Sequence, residues 1–295
     1  MKCHYVPRAY LKRFAYSDEY VNCLFKKSGR ISSAAIRDVC EKNNMYVKKE
    51  KGKNNPEVEK QLSDYESGEL SELLRYWDDF PFMVVTGKGS YISKELRDKI
   101  IRAITIQLVR GERINKYALW KSKVLYKQAY GEIDRLLGIN HPNIREVLRL
   151  AEKEIVNNSP IVAVSQYVDG VANSLIPKSI SARKCAIVTI ECDEEFITSD
   201  SPVLFYGKSR KDVGPLVIPL DYGKLIICYP IGPKLAIVFS SRDLFGIEFD
   251  DGNIITLRDN EKRIVQELND AQCNQSDRFV IAKRRETLSE ILERL

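Results

Sequence analysis

Between residues 183 and 239 the chain alternates short β-branched runs with turn residues, and the gaps are too short to hold a crossover helix. The runs are 183–192 (RKCAIVTIEC), 196–198, 203–206, 214–220, 224–229 and 235–239, interrupted by Gly, Pro, Asp and Lys. This pattern predicts a sheet whose pairings are mainly antiparallel. The preceding hundred residues read differently. Pro56 opens a segment with Val58, Leu62, Tyr65, Leu70, Leu73 and Leu74 close to helical period, weakened locally at Ser63 and Ser67-Gly68. Ser93 is an N-cap candidate with Glu95 in the first turn. Residues 100–109 (IIRAITIQLV) are apolar on nearly all sides, which predicts a helix buried among other elements rather than a surface amphipath. Further helices are expected over 144–156, 160–176, 260–273 and 286–295, with one more strand over 278–282. Near the start, His4 to Phe14 places Tyr10, Leu11 and Phe14 at helical spacing with Pro7 near the helix start, Tyr20 to Phe25 reads as a strand with its turn at 27–30, and 47–56 (VKKEKGKNNP) as an exposed loop. The expected fold class is α+β: a helical N-terminal and middle part packed on a mainly antiparallel C-terminal sheet. It forms a single compact domain, with a helix-rich lobe over about 1–176 and a sheet-rich lobe over about 177–295.

The longest nearly uncharged apolar run is far short of the ~20 residues that span a bilayer, and the first residues lack the apolar core of a secretory signal. Seven cysteines are scattered without a CxxC pair, so neither a zinc ribbon nor a disulfide framework is indicated. Scattered free thiols fit a reducing compartment, and the expected location is cytoplasmic with no membrane partner. Charge is uneven. Residues 1–150 carry 29 Lys and Arg against 19 Asp and Glu, whereas the remainder carries 18 against 22. The basic half is a candidate surface for phosphates, with a solvated lysine-rich surface as the plain alternative.

The chain has two histidines and no HExxH, GxSxG, P-loop or GxGxxG. Metalloprotease, α/β-hydrolase, P-loop NTPase and Rossmann chemistry therefore lack support. His141 lies in a Gly-Ile-Asn-His-Pro turn and reads as a turn residue. Four polar features remain. His4, followed by Pro7 and Arg8, could act as general base, metal ligand or phosphate donor, or simply as a hydrogen-bonded structural group. Gln107 and Arg110 share a helix face inside an apolar run, and a buried guanidinium there needs an acceptor. That acceptor would be an anion or an internal acid such as Glu59 or Glu66. In Thr198-Ser199-Asp200-Ser201-Pro202-Val203, hydroxyl residues frame one carboxylate at a strand end, which serves equally a held catalytic group or an Asx-turn. Asn269 and Gln272, three apart on one helix, face either one cleft or solvent.

His4-Tyr-Val-Pro7-Arg-Ala-Tyr10-Leu11-Lys-Arg-Phe14 resembles the opening signature of a bacterial family, the domain of unknown function numbered four-two-three-eight. The later features keep that family's order: an acid-bearing helix (Glu59 or Glu66), a Gln-x-x-Arg helix end (Gln107, Arg110), a Thr-Ser-Asp-x-Pro-Val turn (Thr198 to Val203), Pro219-Leu220, and a helix near Asn269. The chain departs from the family where Gly111-Glu112-Arg113 follows the helix and where Ser201 replaces the commoner Asn. The resemblance implies no specific activity. It coincides with the polar positions found on physical grounds, so one cleft between the two lobes is expected. In it His4, Asp200 and Arg110 would be catalytic, and Arg8, Gln107, Ser199 and Asn269 would bind ligand. A divalent metal could be held through His4 and Asp200. The expected function is an enzyme acting on nucleic acid or nucleotides, of the nuclease-like or hydrolase kind, with phage defence or toxin activity as the biological setting. The alternative is a non-catalytic module binding a small anion, a nucleic acid or a protein.

Overall fold

The computed structural model describes residues 1–50, 53–85, 92–137, 175–207 and 225–294, with scattered positions between 138 and 174. The expected segment 214–220, His141, Pro219-Leu220 and most of the helices predicted over 144–176 lie outside the described residues.

A five-stranded sheet is built from β7 (Lys184–Ile190), β9 (Leu204–Tyr206), β10 (Ile226–Gly232), β11 (Leu235–Ser240) and β12 (Asn253–Leu257), taking β1 to β6 and β8 as the strands named below. Its order is β12-β7-β11-β10-β9. All pairings are antiparallel except β12 with β7, where Ile254 lies beside Ile187. The strands are apolar throughout because both faces are covered. Alternate residues Cys185, Ile187, Ile227, Ile237 and Phe239 face one core, and Ala186, Val188, Cys228 and Val238 face the other.

The first core is closed by α2 (Glu57–Tyr65), α3 (Ser71–Val85) and α4 (Lys94–Arg110), which bring Leu62, Trp77, Phe80, Ile100 and Ile104. Ser93 caps α4, accepting from the Leu96 amide at 3.1 Å. Residues Ile100 to Arg110 of α4 are buried almost without interruption, as an all-round apolar helix requires. The second core is closed by α7 (Lys262–Gln275) through Ile264, Val265 and Leu268. Other described helices are α1 (Arg8–Lys12), α5 (Glu112–Leu137), α6 (Leu175–Ser181) and α8 (Arg285–Arg294).

A second sheet joins the two ends of the chain. In the order β3-β2-β13-β8, β2 (Tyr20–Phe25) and β3 (Arg30–Ala35) pair with β13 (Phe279–Ala282) and β8 (Thr198–Ser199). β1 (Lys2–His4) pairs with β4 (Glu41–Asn43), setting His4 opposite Glu41. The opening signature packs at the junction of the two sheets. Pro7 precedes α1, and Tyr10, Leu11 and Phe14 are fully buried. Tyr10 stacks on Tyr229 at 5.2 Å, and its hydroxyl meets Thr198 Oγ1 at 2.9 Å and donates to the Pro230 carbonyl at 2.6 Å. Each such buried bond contributes about 1 kcal/mol.

Three local expectations are corrected. His4 lies on a strand, and α1 starts only after Pro7. Residues 48–50 and 53–55 form a hairpin, β5 (Lys48–Glu50) with β6 (Lys53–Asn55), where a loop was expected; ladder bonds between main chains do not need apolar side chains. β12 was not anticipated. Between α2 and α3 the helix widens into a π turn over Glu66–Leu70.

Candidate functional site

The polar residues singled out in the sequence gather in two clusters. The first lies at the end of α4. Arg110 is the helix's last residue and is 1% exposed. Its Nη2 contacts Glu66 Oε1 at 2.7 Å and donates to the His4 carbonyl. The guanidinium lies over the Tyr46 ring, 6.0 Å from its centre, and the Tyr46 hydroxyl donates to the Arg110 carbonyl. One helical turn earlier, Gln107 Nε2 donates to the Tyr5 carbonyl at 3.0 Å. Both side chains therefore clasp the backbone of residues 4–5.

The π turn accounts for Glu66. It inserts a register shift at Glu66–Leu70, so the carboxylate reaches Arg110 while Leu70 still enters the core. Single-turn π bulges cost hydrogen-bond geometry and recur at functional positions.

Several groups in this cluster have no protein partner although they are buried: Arg110 Nε and Nη1, His4 Nε2 and Glu59 Oε2. Burial and the positive charge of Arg8 hold the His4 imidazole below its ordinary pKa, so it is neutral at pH 7. Burial pushes the Glu59 carboxyl up. Arg8 itself is half exposed and pairs with Glu19 at 3.7 Å.

The second cluster surrounds Asp200, which is 4% exposed. Its Oδ1 accepts from the Asp277 amide at 3.0 Å, and its Oδ2 from Arg278 at 2.6 Å and Phe279 at 3.4 Å. Burial pushes this carboxyl up to about 6, against the three backbone donors, which favour the charged form. Ser199 Oγ accepts from Gln272 Nε2 at 2.7 Å and from the Ser201 amide at 3.0 Å. Asn269 donates to the Glu195 carbonyl at 2.8 Å and accepts from the Ile197 amide at 3.1 Å. Gln275 donates to the Val203 carbonyl at 2.6 Å and accepts from the Phe205 amide at 3.0 Å. Asn269, Gln272 and Gln275 form a row at i, i+3 and i+6 on α7, and the row clamps residues 195–205 instead of facing solvent. Gln275 was missed in the sequence, although it continues that spacing by one step.

Tyr5 lies between the clusters. Its carbonyl is held by Gln107, and its buried hydroxyl, with no hydrogen-bond partner, feels the charges of Asp200, Arg278 and Glu112. His4, Gln107 and Arg110 are thus brought together directly, with Glu66, Glu59 and Tyr46. Asp200, Ser199 and Asn269 form a separate group on the far side of Tyr5. Among the described residues no group of three or more His, Cys, Asp and Glu could hold a metal ion.

All seven cysteines are buried and unbridged. Among the described residues no helix is long and apolar enough to cross a membrane. No curated protein and no solved structure matches the chain. A family model does match it, over residues 2–286. The chain belongs to that family, described as protein of unknown function (DUF4238).

Proposed function

We propose that the protein is a cytoplasmic enzyme that hydrolyses a phosphate-bearing substrate, a nucleotide or a nucleic acid, at the His4–Arg110 cluster. The observation that carries this reading is the Arg110 guanidinium, buried beside His4 with two N–H groups that no protein acceptor takes. Buried donors left unused cost about 1–3 kcal/mol each, which a native structure tolerates where the donors have a task. Nη2 is held by Glu66 and the His4 carbonyl, so Nε–H and Nη1–H point from opposite edges of the guanidinium, and each can take one anionic oxygen. His4, its pKa lowered by burial, accepts the proton of an attacking water; Glu59, whose carboxyl burial pushes up, is the candidate acid that gives one to the leaving oxygen. Asp200, Ser199 and Asn269 are positioning residues in this scheme, since their hydrogen bonds go to the backbone of 195–205 and 277–279. The free thiols support the cytoplasmic location.

One observation favours a second reading. Glu66 already neutralises Arg110, as a site that only senses a ligand would allow. The two separate in one experiment. Nucleoside mono-, di- and triphosphates and single-stranded oligonucleotides are incubated with the protein, and phosphate release and strand cleavage are followed. The hydrolase reading expects turnover that His4→Gln lowers by about 10²–10⁴-fold. Silence on every substrate, combined with a nucleotide-induced rise in melting temperature, selects the binding module instead. Turnover unchanged in His4→Gln overturns the catalytic role of this cluster.

A further inference from the structure

Helix α5 leaves the candidate site carrying an exposed stripe of one chemical character. Lys116, Trp120, Lys123 and Lys127 are separated by four, three and four residues, so they share one face. All four are exposed, Trp120 to 53%, although large aromatic side chains are usually kept from water. At 1.5 Å per residue the stripe runs about 16 Å along the helix.

The charge at its beginning is unbalanced. Glu112, the first residue of α5, is 13% exposed at its side chain and has three cations around it. Lys42 Nζ lies at 3.1 Å, Lys116 Nζ at 3.5 Å and Arg278 Nη1 at 3.9 Å. One carboxylate cannot neutralise three cations, and each of the three is about half exposed. The excess positive charge continues into Lys123 and Lys127, so the whole face attracts a polyanion.

We infer that this face binds single-stranded nucleic acid, with the Lys42–Lys116–Arg278 group and the lysines of α5 on the phosphates and Trp120 stacked on a base. The alternation of cations with an exposed indole selects this occupant. Lysines alone serve any polyanion, whereas an indole exposed between them offers its face to a flat group, and an unpaired strand presents base faces beside its phosphates. The face adjoins both clusters: Arg110 of the first is two residues before Glu112, and Arg278 donates its amide to Asp200 of the second. The inference rests on the hydrolase reading in that it names the substrate as a single strand guided towards His4 and Arg110. The binding itself is measured without turnover.

The experiment is fluorescence anisotropy with a labelled 20-nucleotide oligothymidylate and with a duplex of the same length, between 50 and 200 mM salt. Wild-type protein binds the single strand in preference to the duplex. The logarithm of its affinity falls with the logarithm of salt at a slope of about −3.5, from Lys42, Lys116, Lys123, Lys127 and Arg278 at roughly −0.7 each. Lys123→Glu/Lys127→Glu lowers affinity at least about 10-fold and flattens the slope. Trp120→Ala lowers it about 10-fold and leaves the slope unchanged, because stacking carries no counterions. These are surface changes, and the wild-type slope tests the proposal without any variant. Absent binding at 50 mM salt, a flat slope, or equal affinity for duplex with no effect of Trp120→Ala overturns the inference. Oligonucleotide binding without hydrolysis of any substrate keeps the binding face and removes the hydrolase reading. Mononucleotide turnover without oligonucleotide binding does the reverse.

Discussion

Asp200→Ala is expected to destabilise the protein by about 3–5 kcal/mol in urea denaturation at pH 7, the largest loss of any polar substitution outside the first cluster. The change leaves the amides of Asp277, Arg278 and Phe279 without their acceptor, and an unmet buried donor costs about 1–3 kcal/mol. Those amides fix the start of β13, the strand that ties the beginning of the chain to its end. The loss is therefore global rather than a frayed loop. The pH dependence has a definite sign. With its carboxyl pushed up to about 6, above the ordinary 3.8, folded Asp200 binds a proton that the unfolded chain releases. The stability from that proton is complete below about pH 4 and is lost as pH rises through about 6, on the order of 3 kcal/mol in all. Asp200→Asn, which cannot ionise, removes this slope. A loss under about 1 kcal/mol for Asp200→Ala, or a slope that survives in Asp200→Asn, contradicts the clamp.

The second large effect is an asymmetry across the Glu66–Arg110 pair. Removing the acid from a buried pair leaves an uncompensated charge, which costs about 3–5 kcal/mol. Glu66→Ala does this to Arg110, which is 1% exposed at its side chain. The reverse change is milder. Arg110→Met fills the same space with an apolar chain, and Glu66, 26% exposed, can still be hydrated. Arg110→Met is expected to cost about 1 kcal/mol, mainly the lost bond to the His4 carbonyl. The double variant should then be more stable than Glu66→Ala alone, a coupling of at least about 1 kcal/mol. Additive losses in chemical denaturation would mean that the pair is hydrated and contributes little.

Much of this arrangement was legible in the sequence, and particular residues show why. The spacing of Tyr10, Leu11 and Phe14, the β-branched apolar run through 185–190 and the apolar run of α4 report burial directly, because these patterns are local properties. Gln107 and Arg110 stood out because polar groups within an apolar frame need partners. Glu59 and Glu66 both met that need on paper. The choice of Glu66 depends on the π turn, which no pattern of apolar residues signals. The pairing of β2 with β13 joins residues more than 250 positions apart, and β12 lies parallel to β7. Such pairings follow from three-dimensional packing and leave no mark on local spacing. The opening signature was read as the edge of a reactive site. Tyr10, Leu11 and Phe14 of it are core instead, and its His4 carries a buried ring nitrogen without a partner in the cluster at Arg110.

The central claim is that Arg110 and His4 are two parts of one phosphate-binding site. Side-chain NMR of the Arg110 Nε–H and the His4 imidazole, during titration with a nucleoside monophosphate, tests it most directly. Both signals should move saturably with a single midpoint, the arginine proton shifting downfield as it gains an acceptor. Signals that stay fixed at millimolar ligand, or that move with different midpoints, would contradict it.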